Sequence, residues 1–199
     1  LLRGLVSDVR AVFLHYRRST RKSFVMKVTF IRHTSVNVAP GTCYGQTDVA
    51  LASTFPIEAE SVKKRLEGRR FNRVFTSPLS RCWRLAEYCG YPGAIIDDRL
   101  MEMDFGAWEM QRFDSISDPR LQEWYDDYIN VRATEGESFM DQRTRFMSFI
   151  EEITASSNED DEVALFTHGG ILIQAMMLYN GLTAEEAFNS QPSYGTIMT

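Results

Sequence analysis

The stretch KVTFIRHTS, residues 27–35, decides the reading of the chain. Val28, Thr29, Phe30 and Ile31 are β-branched or aromatic and form a nearly continuous apolar run. That is the pattern of a strand buried on both faces of a parallel sheet, not of one with a wet side. The run leads directly into Arg32 and His33. A strand aimed into a core has no packing use for a cation at its end, so the pair asks for an anionic partner.

Three further runs share this character: NRVFT (72–76), AIID (94–97) and VALFT (163–167). Helical stretches are expected between them, over roughly 56–68, 79–90, 138–156 and 170–180. In 138–156, Phe139, Arg143, Phe146, Phe149, Ile150 and Ile153 return at three- to four-residue spacing, which gives one apolar face. Strands alternating with helices predict a three-layer α/β/α fold with a mostly parallel central sheet. Residues 102–137 break the rhythm with Trp108, Phe113, Trp124, Tyr125 and Tyr128 set among acidic residues. They are expected to form a small helical cap insertion, whose aromatics either stack a planar ligand group or pack as the cap's own core.

A chain of 199 residues suits one domain, and 44% hydrophobic with 25% charged residues is the balance of a globular chain, not a disordered one. Residues 1–25 stand apart, with six basic residues against one acidic, net +5. They read as an extension foreign to the domain at 26–199, with a native helical arm or an organelle transit segment as the other readings. The remainder has 16 basic and 26 acidic residues, net −10, which excludes nucleic-acid binding through bulk charge. No apolar run approaches the ~20 residues of a membrane span, so no membrane partner is expected. Three cysteines and no C-x-x-C point to a reduced, cytoplasmic setting. Cys43 reads as a bystander thiol or a site of oxidation.

Ligands of parallel α/β sheets sit at the carboxyl ends of the strands. Those ends deliver Arg32-His33-Thr34, then Ser77-Pro78-Leu79-Ser80-Arg81, then His168-Gly169-Gly170. Ser77 reads as a helix N-cap with Pro78 in the first turn. Arg81 can reach back over the strand end, beside the positive end of its helix. Gly169 and Gly170 would let an oxyanion approach the backbone. Of three histidines in the chain, His33 and His168 both follow strands. With Arg32 and Arg81 they make a positive pocket of phosphate size. Neutral imidazole is a covalent nucleophile, and phosphoryl transfer needs mainly positioning and charge stabilisation. No cofactor or metal is expected, and no Walker loop, H-E-x-x-H, EF-hand loop or G-x-S-x-G occurs. A leaving alkoxide also needs a proton. DDRLMEMDFGAWE (97–109) supplies Glu102, with Asp97, Asp98, Asp104 and Glu109 left open by spacing alone. Thr34, Tyr44, Gly45 and Gln46 are candidates for the leaving-group side, or else form a surface turn with a packed tyrosine.

In order, FIRHT, CYGQTDVAL, FTSPLSRC, DRLMEMDFGAWE and LFTHGG resemble the motifs of the histidine phosphatase, or phosphoglycerate mutase-like, superfamily. The resemblance spans residues 27–170. It implies that His33 is the nucleophile and carries a phosphohistidine, and that Arg32, Arg81 and His168 hold the phosphoryl oxygens. It also implies that Glu102, four residues before Gly106, is the general acid. R-H-T followed by PGTCYGQTD looks most like members of the α-ribazole phosphatase type. A metal-independent phosphomonoesterase of cobalamin synthesis is therefore the implied activity, on a small-molecule phosphomonoester; a homodimer is compatible. A mutase-type transferase and a non-catalytic phospho-ligand module are the alternatives. Thr34 stands where the family usually has glycine, Ala39 where it has Asn, Leu85 where it has Thr and Met110 where it has glycine.

Overall fold

The computed structural model describes residues 26–158 and 160–199. The readings of residues 1–25 lie outside the described residues. In chain order the elements are β1 (Lys27–Arg32), α1 (Phe55–Leu66), β2 (Arg73–Thr76), α2 (Ser80–Tyr88), β3 (Ile95–Ile96), α3 (Arg120–Asp126), α4 (Phe139–Ala155), β4 (Glu162–Thr167), α5 (Gly169–Asn180), α6 (Ala184–Asn189) and β5 (Ile197–Met198). The five strands form one mixed sheet in the order β3-β2-β4-β1-β5. All neighbours run parallel except β5, which is antiparallel to β1.

The continuous apolar runs of β1, β2 and β4 are explained by burial on both faces. AIID is not, because β3 lies at the edge of the sheet and leaves Ile95 and Ile96 51% and 60% exposed. Phe30, Val163 and Leu165 join a core with Phe146 and Phe149 of α4 and Ile171 of α5. Ile31, Ala164 and Phe166 join a second core with Val62 of α1 and Leu85 of α2. Successive strand residues thus face opposite helical layers. Each fully buried Phe, Leu or Ile contributes roughly 2 kcal/mol of burial free energy, and Phe166→Ala would forfeit about 3–5 kcal/mol by opening a cavity. Leu85, at the family's Thr position, is fully buried in this core.

The β1–β4 register pairs Arg32 with Thr167. His33 N–H then donates to Thr167 O at 3.0 Å, which brings the ends of the two strands level. The C-terminal segment closes the other side of β1. Arg32 N–H donates to Thr196 O (2.9 Å), and Gly195 N–H donates to His33 O (3.0 Å).

Residues 102–137 contain α3, two 3-10 turns at Gly106–Trp108 and Phe113–Ser115, and irregular chain between them. They are fastened to the loop after β1 by reciprocal bonds between Cys43 and residues 110–111 and by an isolated bridge of Thr42 with Arg112. The helices α3 and α6, of seven and six residues, are too short to show a period in the sequence. The two-residue β5 carries no strand signature at all. A capping box, Ser138 with Asp141, begins α4.

Candidate active site

His33 closes β1 and is 2% exposed. Its Nδ1 lies 2.7 Å from Thr34 O. A carbonyl oxygen can only accept, so Nδ1 carries the hydrogen and Nε2 the lone pair. Burial, with Arg81 and Arg32 nearby, pushes the His33 pKa well below its ordinary 6.5, so the ring is neutral at neutral pH.

His168 is the N-cap of α5 and fully buried. Its ring meets that of His33 edge-on, centroids 5.2 Å apart. Arg81 Nε donates to His168 Nδ1 at 3.3 Å. That leaves Nε2–H to donate to Ser77 Oγ at 2.7 Å. Burial, then Arg81 and His33, pushes the His168 pKa well below 6.5 too. Ser77 therefore serves the histidine instead of capping α2. The N-cap of α2 is Leu79, and the free N–H of Ser80 is taken by Asp48 Oδ1 at 2.8 Å. The correction has a plain cause: α2 starts two residues later than S-P suggests.

Arg81 is fully buried. Besides His168 it holds the carbonyls of Thr47 (3.0 Å) and Gly45. Arg32 donates to the Pro192 carbonyl. Its guanidinium lies over the Tyr194 ring, 4.4 Å from the centroid, and Arg81 lies 5.5 Å from the Tyr44 centroid. The two phenols are hydrogen bonded at 2.7 Å. Each arginine thus rests on a tyrosine, and the tyrosines are joined. Burial, then Tyr194, raises the Tyr44 pKa.

Three N–H groups converge on the Glu102 carboxylate. Met103 N (3.0 Å) and Gln142 Nε2 (2.9 Å) donate to Oε1, and Gly170 N (3.1 Å) donates to Oε2. The glycines have a specific purpose. A Cβ on Gly170 would fall 2.2 Å from Glu102 Oε1, and one on Gly169 would fall 3.1 Å from Arg32 Cζ. The oxyanion admitted at the start of α5 is thus the protein's own carboxylate. Arg145 pins the backbone beneath it, pairing with Glu137 (2.8 Å) and donating to the carbonyls of Arg99, Met101 and Glu102.

Of the other four carboxylates, Asp98 is exposed and the remaining three are turned to other work. Asp97 pairs with Arg99, and Asp104 accepts from Gly106 N–H. Glu109 accepts from the backbone of Gln46, Thr47 and Phe105. Burial pushes its pKa up, but these bonds and the Thr47 hydroxyl hold it below the usual range. Cys43 is 1% exposed, and burial, then Glu109, pushes its thiol up to about 12, which makes it inert at neutral pH.

A cavity of about 360 Å³ has Arg32, His33, Glu102, Gly169 and Gly170 among its lining. Its walls are aromatic: Tyr44, Phe105, Phe113, Trp124, Tyr128, Phe139 and Phe188. The cap aromatics therefore divide. Phe113, Trp124 and Tyr128 face the cavity, Trp108 is buried in the cap with Nε1 on Asp118, and Tyr125 is exposed. A surface groove of about 500 Å³ runs between α1 and α2 beside Phe55, Trp83 and Tyr88, and none of the candidate site residues lines it.

Among the residues proposed from sequence, Arg32, His33, Glu102 and Tyr44 line the cavity, and Arg81 and His168 are buried beside His33. Thr34, Gly45 and Gln46 do not line it. Thr34 fixes His33 through its carbonyl, Gly45 accepts from Arg81, and Gln46 ties Glu102 O to Glu109. Sequence reasoning missed Gln142, Arg145 and Tyr194. Gln142 and Arg145 lie on a helix read only for its apolar face, and Tyr194 lies in a tail with no motif.

Residues 28–198 match the model of the histidine phosphatase superfamily (branch 1). The chain belongs to that superfamily. Among histidine phosphatase relatives it is similar to the adenosylcobalamin/alpha-ribazole phosphatase of Salmonella typhimurium, 29% identical over 74% of this chain and 76% of that one. The alpha-ribazole phosphatase structure from Shigella flexneri superposes with a TM-score of 0.76 at 22% identity, covering 85% of this chain and 87% of that chain. At that identity the likeness shows the fold alone. A phosphoglycerate mutase structure from Thermus thermophilus gives a TM-score of 0.66 at 25% identity, covering 85% and 90%.

Proposed function

We propose that this histidine phosphatase hydrolyses small-molecule phosphomonoesters through a phosphohistidine on His33, with no metal. The observation that carries the reading is the bond from His33 Nδ1–H to Thr34 O in a buried, neutral ring between two arginines. It leaves Nε2 as a nucleophile whose lone pair needs no prior deprotonation. In the first step Nε2 attacks phosphorus and the P–O ester bond breaks. The Glu102 carboxyl proton goes to the leaving oxygen. Water then attacks phosphorus while the Glu102 carboxylate takes its proton. The P–N bond breaks, phosphate leaves and His33 returns to its starting form. Arg32 meets the phosphoryl oxygens from the cavity side. Arg81 acts from beneath, where its buried positive charge is screened little by water, and neutral His168 holds it in place.

The aromatic cavity supports a flat, apolar leaving group, as α-ribazole phosphate carries. Arg32 is the only Lys or Arg lining it among the described residues, so a second anionic group such as a phosphoglycerate carboxylate finds no further counter-charge. The test is kcat/KM across α-ribazole phosphate, phosphoglycerates and sugar phosphates. The expected result is preference for α-ribazole phosphate by an order of magnitude or more, as burial of a planar base gives about 1–2 kcal/mol. Preference for phosphoglycerate, with isomer formed and no free phosphate released, would replace this reading with a mutase.

A further inference from the structure

Gln142 is fully buried on α4, one turn from Phe139 and Phe146, on a buried helix face that is apolar apart from Gln142 and Arg143. Its Nε2 donates to Glu102 Oε1 at 2.9 Å, while its own Oε1 is buried with no hydrogen-bond partner among the described residues. Turning the amide over would set oxygen against a carboxylate oxygen, so Glu102 dictates its orientation. A buried acceptor left unpaired costs stability, and such groups survive where they serve something else. An apolar side chain of the same length would fill the same space at no such cost.

The donors on Glu102 are unevenly shared. Oε1 receives two, from Met103 N and Gln142 Nε2, and Oε2 receives one, from Gly170 N. Oε2 is therefore the oxygen with room for a proton. When Oε2 carries it, Oε1 is a carbonyl oxygen and still accepts from the same two donors. One set of contacts thus serves both the acid and the base form, with no rearrangement between the two half-reactions.

We infer that Gln142 is a positioning residue for the acid–base group. It saturates Glu102 Oε1 so that the proton is given and taken at Oε2, and its unpaired oxygen is a stability cost accepted for that function. This rests on the reading of Glu102 as the general acid.

The test uses Gln142→Leu and Gln142→Met with Glu102→Gln as reference, each assayed with p-nitrophenyl phosphate and glycerol phosphate. p-Nitrophenolate leaves without a proton and glycerol does not, so kcat/KM separates the two demands. The expected result is a loss of about tenfold or more on glycerol phosphate and less than about twofold on p-nitrophenyl phosphate. The melting temperature should be unchanged or raised in at least one Gln142 variant, because a half-satisfied buried amide has been removed. Equal losses on both substrates, or a lowered melting temperature in both variants, would mean that Gln142 is merely structural and overturn the inference. If Glu102→Gln itself shows no leaving-group dependence, the acid assignment falls and takes this inference with it. Dependence in Glu102→Gln but in neither Gln142 variant overturns the inference alone.

Discussion

His33 and His168 resist protonation in the folded state, because burial and the nearby guanidinium groups oppose a further positive charge. This has a consequence for stability. The unfolded chain titrates its histidines near pH 6.5, while the native pKa values of these two are well below that. The unfolded state therefore binds more protons as pH falls below 6.5, and stability present above 6.5 is progressively lost, by at most about 1.4 kcal/mol per pH unit for each histidine. Urea unfolding at pH 7.5, 6.0 and 5.0 should show the decline, and His168→Asn should flatten it; a pH-independent wild-type midpoint would contradict it. Gly170→Ala makes a second residue-scale prediction. Its Cβ would displace the Glu102 carboxylate, so activity on alkyl phosphates should fall about a hundredfold while the fold survives, as assayed beside circular dichroism. Thr34 stands at the family's glycine position in the opening motif. Its carbonyl fixes the His33 tautomer, and its buried hydroxyl has no partner among the described residues.

Among the elements, the C-terminal segment does more than its two-residue strand suggests. It supplies Tyr194 beneath Arg32, the Pro192 carbonyl for the Arg32 guanidinium, and backbone bonds on both sides of the Arg32–His33 junction. Tyr194→Ala should lower kcat/KM about tenfold by loosening Arg32, yet cost only about 1 kcal/mol in stability, since the ring is 40% exposed and the stacking is modest. Paired kinetics and urea titration would check this, and unchanged kinetics would remove Tyr194 from the account. In the cap turn, Met110 has φ 63° and is 51% exposed, so it keeps a glycine-type backbone while adding little packing. Met110→Gly should therefore be stabilising by up to about 1 kcal/mol, read as a higher urea midpoint. The family's glycine is replaced here in side chain but not in conformation.

Over the whole molecule, one mostly parallel sheet sets the site. The order β3-β2-β4-β1-β5 places the ends of β1 and β4 side by side. Groups 135 residues apart in the chain thereby stand ring to ring. Much of this was legible, because continuous apolar strands ending in Arg32-His33, Ser77 to Arg81 and His168-Gly169-Gly170 have a direct physical reading. The competition among five carboxylates was not legible, since spacing cannot tell which of them reaches the start of α5. Nor were Gln142 and Arg145, polar residues on a helix whose pattern records only what it buries. Ser77 was misjudged because a good local cap was claimed by a histidine 91 positions away.

The central claim is that phosphate passes through His33. Rapid quenching of the enzyme with radiolabelled p-nitrophenyl phosphate should trap protein-bound label that is labile in acid, stable in base and absent from His33→Ala. Label that forms normally on His33→Ala, or full turnover by that variant, would contradict the account.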